Sequence, residues 1–335
     1  ELFGELLSVL EYEQGHIQQV CQDYEKEMAR RAGEYEKEKN AIIMAHYYTR
    51  PEIQEVADFI GDSLALAQKA TQVKADIIVM CGVHFMGETM KILCPDKKVL
   101  IPDMAAGCSL ADSCKASDLA CFKAEHPGYM VVSYVNTSAD VKALTDVVVT
   151  SSNAKKIVDQ LPENAKIIFG PDKNLGNYIN SVTGREMLLW DGACHVHSRF
   201  SLEALLALKE QYPDTPVLAH PECKAVILSQ ANVIGSTKAL LDYSIKSPQK
   251  RFIVVTESGI LHEMQKACPN KEFIPVPPEA SESIGCQCNE CEYMRLNTLE
   301  KLFACLRDET PEILVSDDIV ARAVLPIRKM LDMSK

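Results

Sequence analysis

The stretch Ala41-Ile42-Ile43-Met44-Ala45-His46-Tyr47-Tyr48 decides the reading of the fold. Ala41–Ala45 is a short apolar run with no polar alternation, which predicts a strand buried on both faces of a parallel sheet. A histidine and two tyrosines follow at once, where such a strand ends. Downstream the chain passes Gly61-Asp62-Ser63 and reaches Cys108. The pattern then repeats. Val131-Val132-Ser133-Tyr134 leads into Val135-Asn136, passes Thr150-Ser151-Ser152 and reaches Cys194. Pro216-Val217-Leu218-Ala219 leads into His220-Pro221-Glu222, passes Gly235-Ser236-Thr237 and reaches Cys286, Cys288 and Cys291. His46 and Tyr134 are 88 residues apart, and Tyr134 and His220 are 86 apart. Self-similarity at a fixed period signals a repeated supersecondary unit.

Each copy alternates strand and helix. The first has strands at 41–45, 77–80 and 99–101, with helices at 51–59, 63–71 and 85–93. The second has strands at 131–134, 147–149, 167–169 and 187–190, with helices at 139–144, 154–160 and 175–182. The third has strands at 216–219, 231–234, 251–256 and 273–276, with helices at 224–230, 237–244 and 259–268. The expected fold is α/β: three pseudo-threefold related, three-layer αβα units with parallel sheets around a central iron–sulfur cluster. The expected boundaries are an N-terminal helix at 1–40 packing on the body, units at 41–126, 127–212 and 213–297, and a helical segment at 298–335. An extra helix is read at 202–211. The tail should pair with the N-terminal helix or complete the first unit.

Ligands of open parallel sheets gather at the carboxyl ends of the strands. His46, Tyr134 and His220 fall there, as do the three cysteine loops. One thiol from each of three distant loops suggests a metal group held by three cysteines, which leaves one iron of a cluster open to act as a Lewis acid. Any single cysteine also reads as a small buried apolar residue. The third thiol is open among Cys286, Cys288 and Cys291, whose C-x-C-x-x-C spacing also suits a local zinc knuckle. Cys114 is a weaker rival to Cys108. His195 and His197 flank Cys194 and read as its hydrogen-bond partners or as zinc ligands. Ser63, Ser151, Ser236 and Thr237 open predicted helices. Each reads as a helix cap, and each also offers a helix start to an anion.

The 335 residues carry a net charge of −12 and no basic run, which argues against nucleic acid or an anionic membrane surface as partner. No stretch is long and apolar enough to span a bilayer. Glu1-Leu2-Phe3-Gly4 carries no secretory pattern, and 13 cysteines, an odd number, do not suggest a disulfide framework, so a cytoplasmic protein is expected.

In order and spacing, a set of short strings resembles the quinolinate synthase family over about residues 40–335. They are Ala45-His46-Tyr47-Tyr48, Gly61-Asp62-Ser63, Phe85-Met86-Gly87-Glu88-Thr89, Tyr134-Val135-Asn136-Thr137-Ser138, Val149-Thr150-Ser151-Ser152, Gly170-Pro171-Asp172-Lys173, Gly192-Ala193-Cys194, His220-Pro221-Glu222 and Gly235-Ser236-Thr237. The resemblance implies condensation of iminoaspartate with dihydroxyacetone phosphate to quinolinate, with release of phosphate and water, in NAD biosynthesis. It implies a [4Fe–4S] cluster on Cys108, Cys194 and Cys291, the last chosen because Tyr293-Met294 and Asn297 follow it. It implies catalytic roles for Tyr48, His220 and Glu222. It implies substrate contacts at His46, Ser63, Tyr134, Val135, Asn136, Ser151, His220, Pro221, Glu222 and Thr237. Functional coupling to an L-aspartate-oxidising enzyme would supply the unstable imine. Two rivals remain: a metal-binding or redox-sensing protein built on the 286–291 cysteines, and another iron–sulfur hydro-lyase with an open iron.

Overall fold

The computed structural model describes residues 2–279 and 289–335. Its first sheet contains β1 (Ala41–His46), β2 (Phe59–Gly61), β3 (Ile77–Cys81) and β4 (Lys98–Leu100) in the order β2-β1-β3-β4. The second contains β5 (Met130–Tyr134), β6 (Val147–Val149), β7 (Ile167–Gly170) and β8 (Leu188–Leu189) in the order β6-β5-β7-β8. The third contains β9 (Val217–Ala219), β10 (Val233–Ile234), β11 (Arg251–Val255) and β12 (Glu272–Pro275) in the order β10-β9-β11-β12. Every pairing within the three sheets is parallel, with helices between successive strands. The expected architecture of three αβα units is present.

The repeat extends to single hydrogen bonds. Met44 pairs with Phe59, Val132 with Val147, and Leu218 with Val233. Just before the second strand of each unit, a short polar side chain accepts the amide of a first-strand residue 15 positions earlier: Asp58 from Ile43, Asp146 from Val131, Asn232 from Val217. The same three residues donate their own amides back to the carbonyls of Ile43, Val131 and Val217. This two-way bond fixes the strand register three times over.

The strands are apolar because helices cover both faces. All of Ile77–Cys81 is buried. β2 departs from expectation: residues 51–59 were read as one helix, but the helix stops at Val56 and Phe59–Gly61 forms an edge strand. Three residues are too few for a period to show. Of the two helices after Cys108, Ser109–Ser113 and Ala116–Glu125, sequence reading marked only a helix start near Cys114.

The N-terminal helix, Leu2–Glu38, lies along the helix Leu299–Asp308. Met28 and Ala32 share a core with Leu299, Leu302, Cys305 and Leu306, and the Tyr35 and Phe303 rings sit 5.7 Å apart. The last helix, Asp317–Met333, packs on both the second unit (β6) and the first unit's helix His84–Leu93. Its Ala323, Ile327 and Met330 are fully buried in a core shared by the two units. Shortening Ile327 to Ala would cost about 2–5 kcal/mol, through lost burial and the cavity left.

Candidate active site

The carboxyl ends of all three sheets face one cavity of about 690 Å³, its mouth included. His46 and Tyr48 reach it from the end of β1, Tyr134 and Asn136 from β5, and His220 and Glu222 from β9. Ser63, Ser151 and Thr237 enter from beyond β2, β6 and β10. Cys108, Cys194 and Cys291 line the same cavity. Two residues expected here do not line the cavity. Pro221 is buried between His220 and Glu222, and Val135 faces a smaller neighbouring void with Ser63, Phe85 and Met86. Cys114 is buried among Leu119, Val131 and Ile168, away from the cavity. Cys286 and Cys288 lie outside the described residues.

The three cysteines share a local geometry. Each carbonyl accepts the amide four residues on: Asp112 to Cys108 at 3.0 Å, Ser198 to Cys194 at 3.0 Å and Arg295 to Cys291 at 3.1 Å. That helical turn points amides at the thiols. Leu110 and Ala111 donate to Cys108, His197 to Cys194, and Tyr293 and Met294 to Cys291. Burial pushes the Cys108 thiol up to about 11 and Cys291 to about 12, and holds Cys194 well above the usual range, with the amide contacts opposing. Thiols kept protonated by burial need a nearby cation to ionise, and a bound metal supplies one.

The three sulfurs are not all within 4.8 Å of one another. Thiolates on a single zinc would be, since each Zn–S bond is about 2.3 Å. The three thiols therefore do not meet the spacing of one shared ion. A second group, Cys194, His197 and Glu222, does meet the single-ion spacing. There, however, His197 Nδ1 lies 2.9 Å from Glu222 Oε2 and the two already satisfy each other.

Two histidines are set alike. His46 Nδ1 accepts the Tyr48 amide at 3.2 Å, and His220 Nδ1 accepts the Glu222 amide at 3.4 Å. Each ring therefore carries its proton on Nε2. Burial lowers both to about 3, so both are neutral donors. Tyr48 Oη lies 2.7 Å from Thr237 Oγ1 and 2.9 Å from Thr256 Oγ1, and Thr256 Oγ1 lies 3.0 Å from His197 Nε2. Glu222 completes the chain, with Tyr134 Oη donating to its Oε1. Burial alone would raise the Glu222 carboxyl, but His197 and the Tyr134 hydrogen bond outweigh it and hold it below the carboxylate range. Burial raises both tyrosines well above their ordinary values.

The cap reading holds for Ser236 and not for Ser63, Ser151 or Thr237. Asp62 caps the helix Ser63–Ala70 by accepting the Ala65 amide, and Ser236 caps Thr237–Lys246 by accepting that of Ala239. Ser63 and Thr237 are the first helical residues, and Ser151 lies in a turn three residues before the helix Ala154–Gln160. Their hydroxyls are not capping groups and face the cavity instead. Asn136 Oδ1 is buried with no hydrogen-bond partner among the described residues, a donor-seeking atom on a cavity wall.

The repeat sets Thr256-Glu257-Ser258-Gly259 opposite Pro171-Asp172-Lys173-Asn174, just beyond the third strand of each unit, and sequence reading gave these residues only a loop role. Glu257 is fully buried, and burial raises it to about 8 against Arg295 and the amides of Cys291 and Gly259. Gly259 must lack a side chain, since a Cβ would stand 2.7 Å from Tyr48 Cα and 2.9 Å from Tyr47 O.

Three parallel αβα units that aim strand ends, thiols and acid–base groups into one cavity define an α/β enzyme built to hold a metal group between its units. A family model described as quinolinate synthetase A protein matches residues 30–332. The chain is 56% identical over 301 residues to the quinolinate synthase of Microcystis aeruginosa, covering 90% of this chain and 93% of that one. It is 57% identical over 299 residues to that of Chloroherpeton thalassium, covering 89% and 92%. With that of Thermosynechococcus vestitus it shares 56% identity over 298 residues, covering 89% and 92%. The chain belongs to the quinolinate synthase family.

Proposed function

We propose that this chain condenses iminoaspartate with dihydroxyacetone phosphate to form quinolinate, releasing phosphate and water, as a step of NAD biosynthesis. Cys108, Cys194 and Cys291 would hold a [4Fe–4S] cluster. The observation that carries this reading is one cysteine per unit, each in the same amide-lined turn, on the wall of a cavity ringed by the three strand ends. When bound, the cluster supplies an open iron as a Lewis acid for a carboxylate or a departing hydroxyl.

The chain's own groups account for the rest. The neutral Nε2–H groups of His46 and His220 donate to substrate carboxylates and carbonyls, and Asn136 Oδ1 accepts from a substrate hydroxyl or N–H. The hydroxyls of Ser63, Ser151 and Thr237, at or near helix starts, receive the phosphate or carboxylate oxygens. Tyr48 exchanges a proton through Thr256 with His197, whose other nitrogen meets Glu222. Glu222 is an ionised acceptor placed for general-base work, and Tyr134 a donor bound to it. Val135 and Pro221 act through the backbone, holding Asn136 and Glu222 in place.

Small-molecule substrates agree with a pocket of this size in an acidic chain. No helix among the described residues is long and apolar enough to cross a membrane. We place the protein in the cytoplasm, coupled to an L-aspartate-oxidising enzyme because the imine hydrolyses readily. The test is anaerobic reconstitution with iron and sulfide, followed by assay of quinolinate from the two substrates. Quinolinate formation that requires the reconstituted cluster supports the proposal. Full iron uptake without quinolinate would favour another iron–sulfur hydro-lyase. Iron or zinc uptake that survives loss of Cys108 and Cys194 would favour a local site at residues 286–291.

A further inference from the structure

We propose that Asp172 and Glu257 are positioning residues for the metal ligands: each uses one carboxylate oxygen to hold the backbone amide of a ligand cysteine. The proposal rests on the three-cysteine cluster reading and extends it to residues that the reading leaves without a role.

The two side chains are built alike in different units. Asp172 lies two residues beyond β7, and Glu257 two residues beyond β11. Both are 0% exposed. Asp172 Oδ2 accepts the Cys194 amide at 3.1 Å, while Oδ1 accepts the Leu175 amide at 2.8 Å. Glu257 Oε1 accepts the Cys291 amide at 3.0 Å, while Oε2 accepts the Gly259 amide at 2.7 Å. Each carboxylate thus ties a cysteine loop to the loop at the end of its unit's third strand.

A fully buried carboxyl group is costly unless its oxygens are hydrogen-bonded. The fold meets that cost twice, at matching places, and each time one of the satisfied bonds is to a cluster cysteine. A cap on a helix needs only one oxygen, so the second bond is not explained by capping. Groups that orient metal ligands act in this way: they fix the ligand so that its donor atom cannot drift from the metal. In the first unit the matching position is Val83, and among the described residues no carboxylate holds the Cys108 amide. There Ser109, next to Cys108, bonds instead to His195, next to Cys194, at 2.8 Å. The Cys194 anchor would therefore steady the Cys108 loop as well.

Asn at 172 or Gln at 257 keeps the shape, but its amide nitrogen cannot accept, so one of the two amides loses its partner. The experiment compares unsubstituted protein, Asp172→Asn, Glu257→Gln and the control Asp146→Asn, which alters a carboxylate–amide bond remote from the cysteines. Each is reconstituted anaerobically. Iron release to a chelator is timed, and the electron paramagnetic resonance spectrum of the reduced cluster is recorded. Melting of the cluster-free protein is measured in parallel. Asp172→Asn and Glu257→Gln should release iron roughly 10-fold faster or more, with an altered or broadened spectrum, while Asp146→Asn matches the unsubstituted protein. If Asp172→Asn does not fold, because Asp172 also caps the helix Lys173–Thr183, Glu257→Gln decides the matter. Unchanged release and spectra, even with lowered melting, would reduce both residues to structural braces and overturn the inference. Failure of the unsubstituted protein to take up a cluster would overturn the cluster reading, and this inference with it.

Discussion

His197 Nδ1 lies 2.9 Å from Glu222 Oε2 and 3.3 Å from Cys194 Sγ, so one buried ring joins the acid–base group to a cysteine of the metal wall. His220 stacks on that ring with centroids 4.5 Å apart. The carboxylate thus faces two donors at once, His197 on one oxygen and Tyr134 on the other. Glu222→Gln can accept only one of them and removes the base. It should keep the full iron content and lose roughly 10²–10⁴-fold in quinolinate formation. Near-normal anaerobic turnover with a complete cluster would exclude Glu222 as a proton carrier.

Single replacement of Cys108, Cys194 or Cys291 by Ser should leave anaerobically prepared protein without a stable cluster, because three thiolates already leave one iron without a protein ligand. Iron, sulfide and visible absorption measure this. A complete cluster in Cys108→Ser or Cys194→Ser would remove the site from the meeting point of the units.

Ser236 and Thr237 are neighbours with separable roles. Ser236→Ala removes a helix cap and should cost about 1 kcal/mol of stability, with substrate binding little changed. Thr237→Val removes the hydroxyl that meets Tyr48 at 2.7 Å and spares the cap. It should weaken substrate binding or turnover with a smaller stability loss. Denaturant melts and steady-state kinetics of the two variants separate these effects, and identical profiles would contradict the assignment.

Glu36 on the N-terminal helix meets Asp58 at the start of β2, and burial together with that carboxyl raises it from 4.5 to about 7. A raised acid binds its proton more tightly in the fold than in the unfolded chain. Its stabilising effect is therefore complete below about 4.5 and fades as pH rises through about 7. Thermal melts of the wild type and Glu36→Gln between pH 5 and 8 should show the variant gaining relative to the wild type as pH rises, by an amount reduced because the group is partly exposed. A constant difference across that range would show that Glu36 does not titrate there.

The repeated architecture was legible in the chain because its cause is local. Runs such as Ile77–Met80 and Val147–Val149 suit only doubly covered strands, and an 86–88-residue period placed them in three copies. The polar residues at the strand ends followed from the same rule, which is why His46, Tyr134 and His220 could be named together. What was hidden was short or shared. β2 has three residues, too few to carry a pattern. Of the cap candidates Ser236 does cap its helix, but Asp62 takes the place of Ser63 and Ser151 stands three residues before its helix, because boundaries within a turn depend on which backbone amides remain free.

By itself, then, the sequence determined the units, the order of their strands along the chain and the residue types delivered to each strand end. Packing and propensity within a single unit decide those features, and every copy states them again. Only the tertiary structure decided which side chains meet. Tyr48 joins Thr237 and Thr256 from 189 and 208 residues away, and Tyr134 reaches Glu222 across 88. Those contacts form at the meeting of three units, where the distance along the chain carries no information. The same holds for Asp172 and Glu257, whose turn-like sequence context gave no sign that their second oxygens would close on the amides of Cys194 and Cys291.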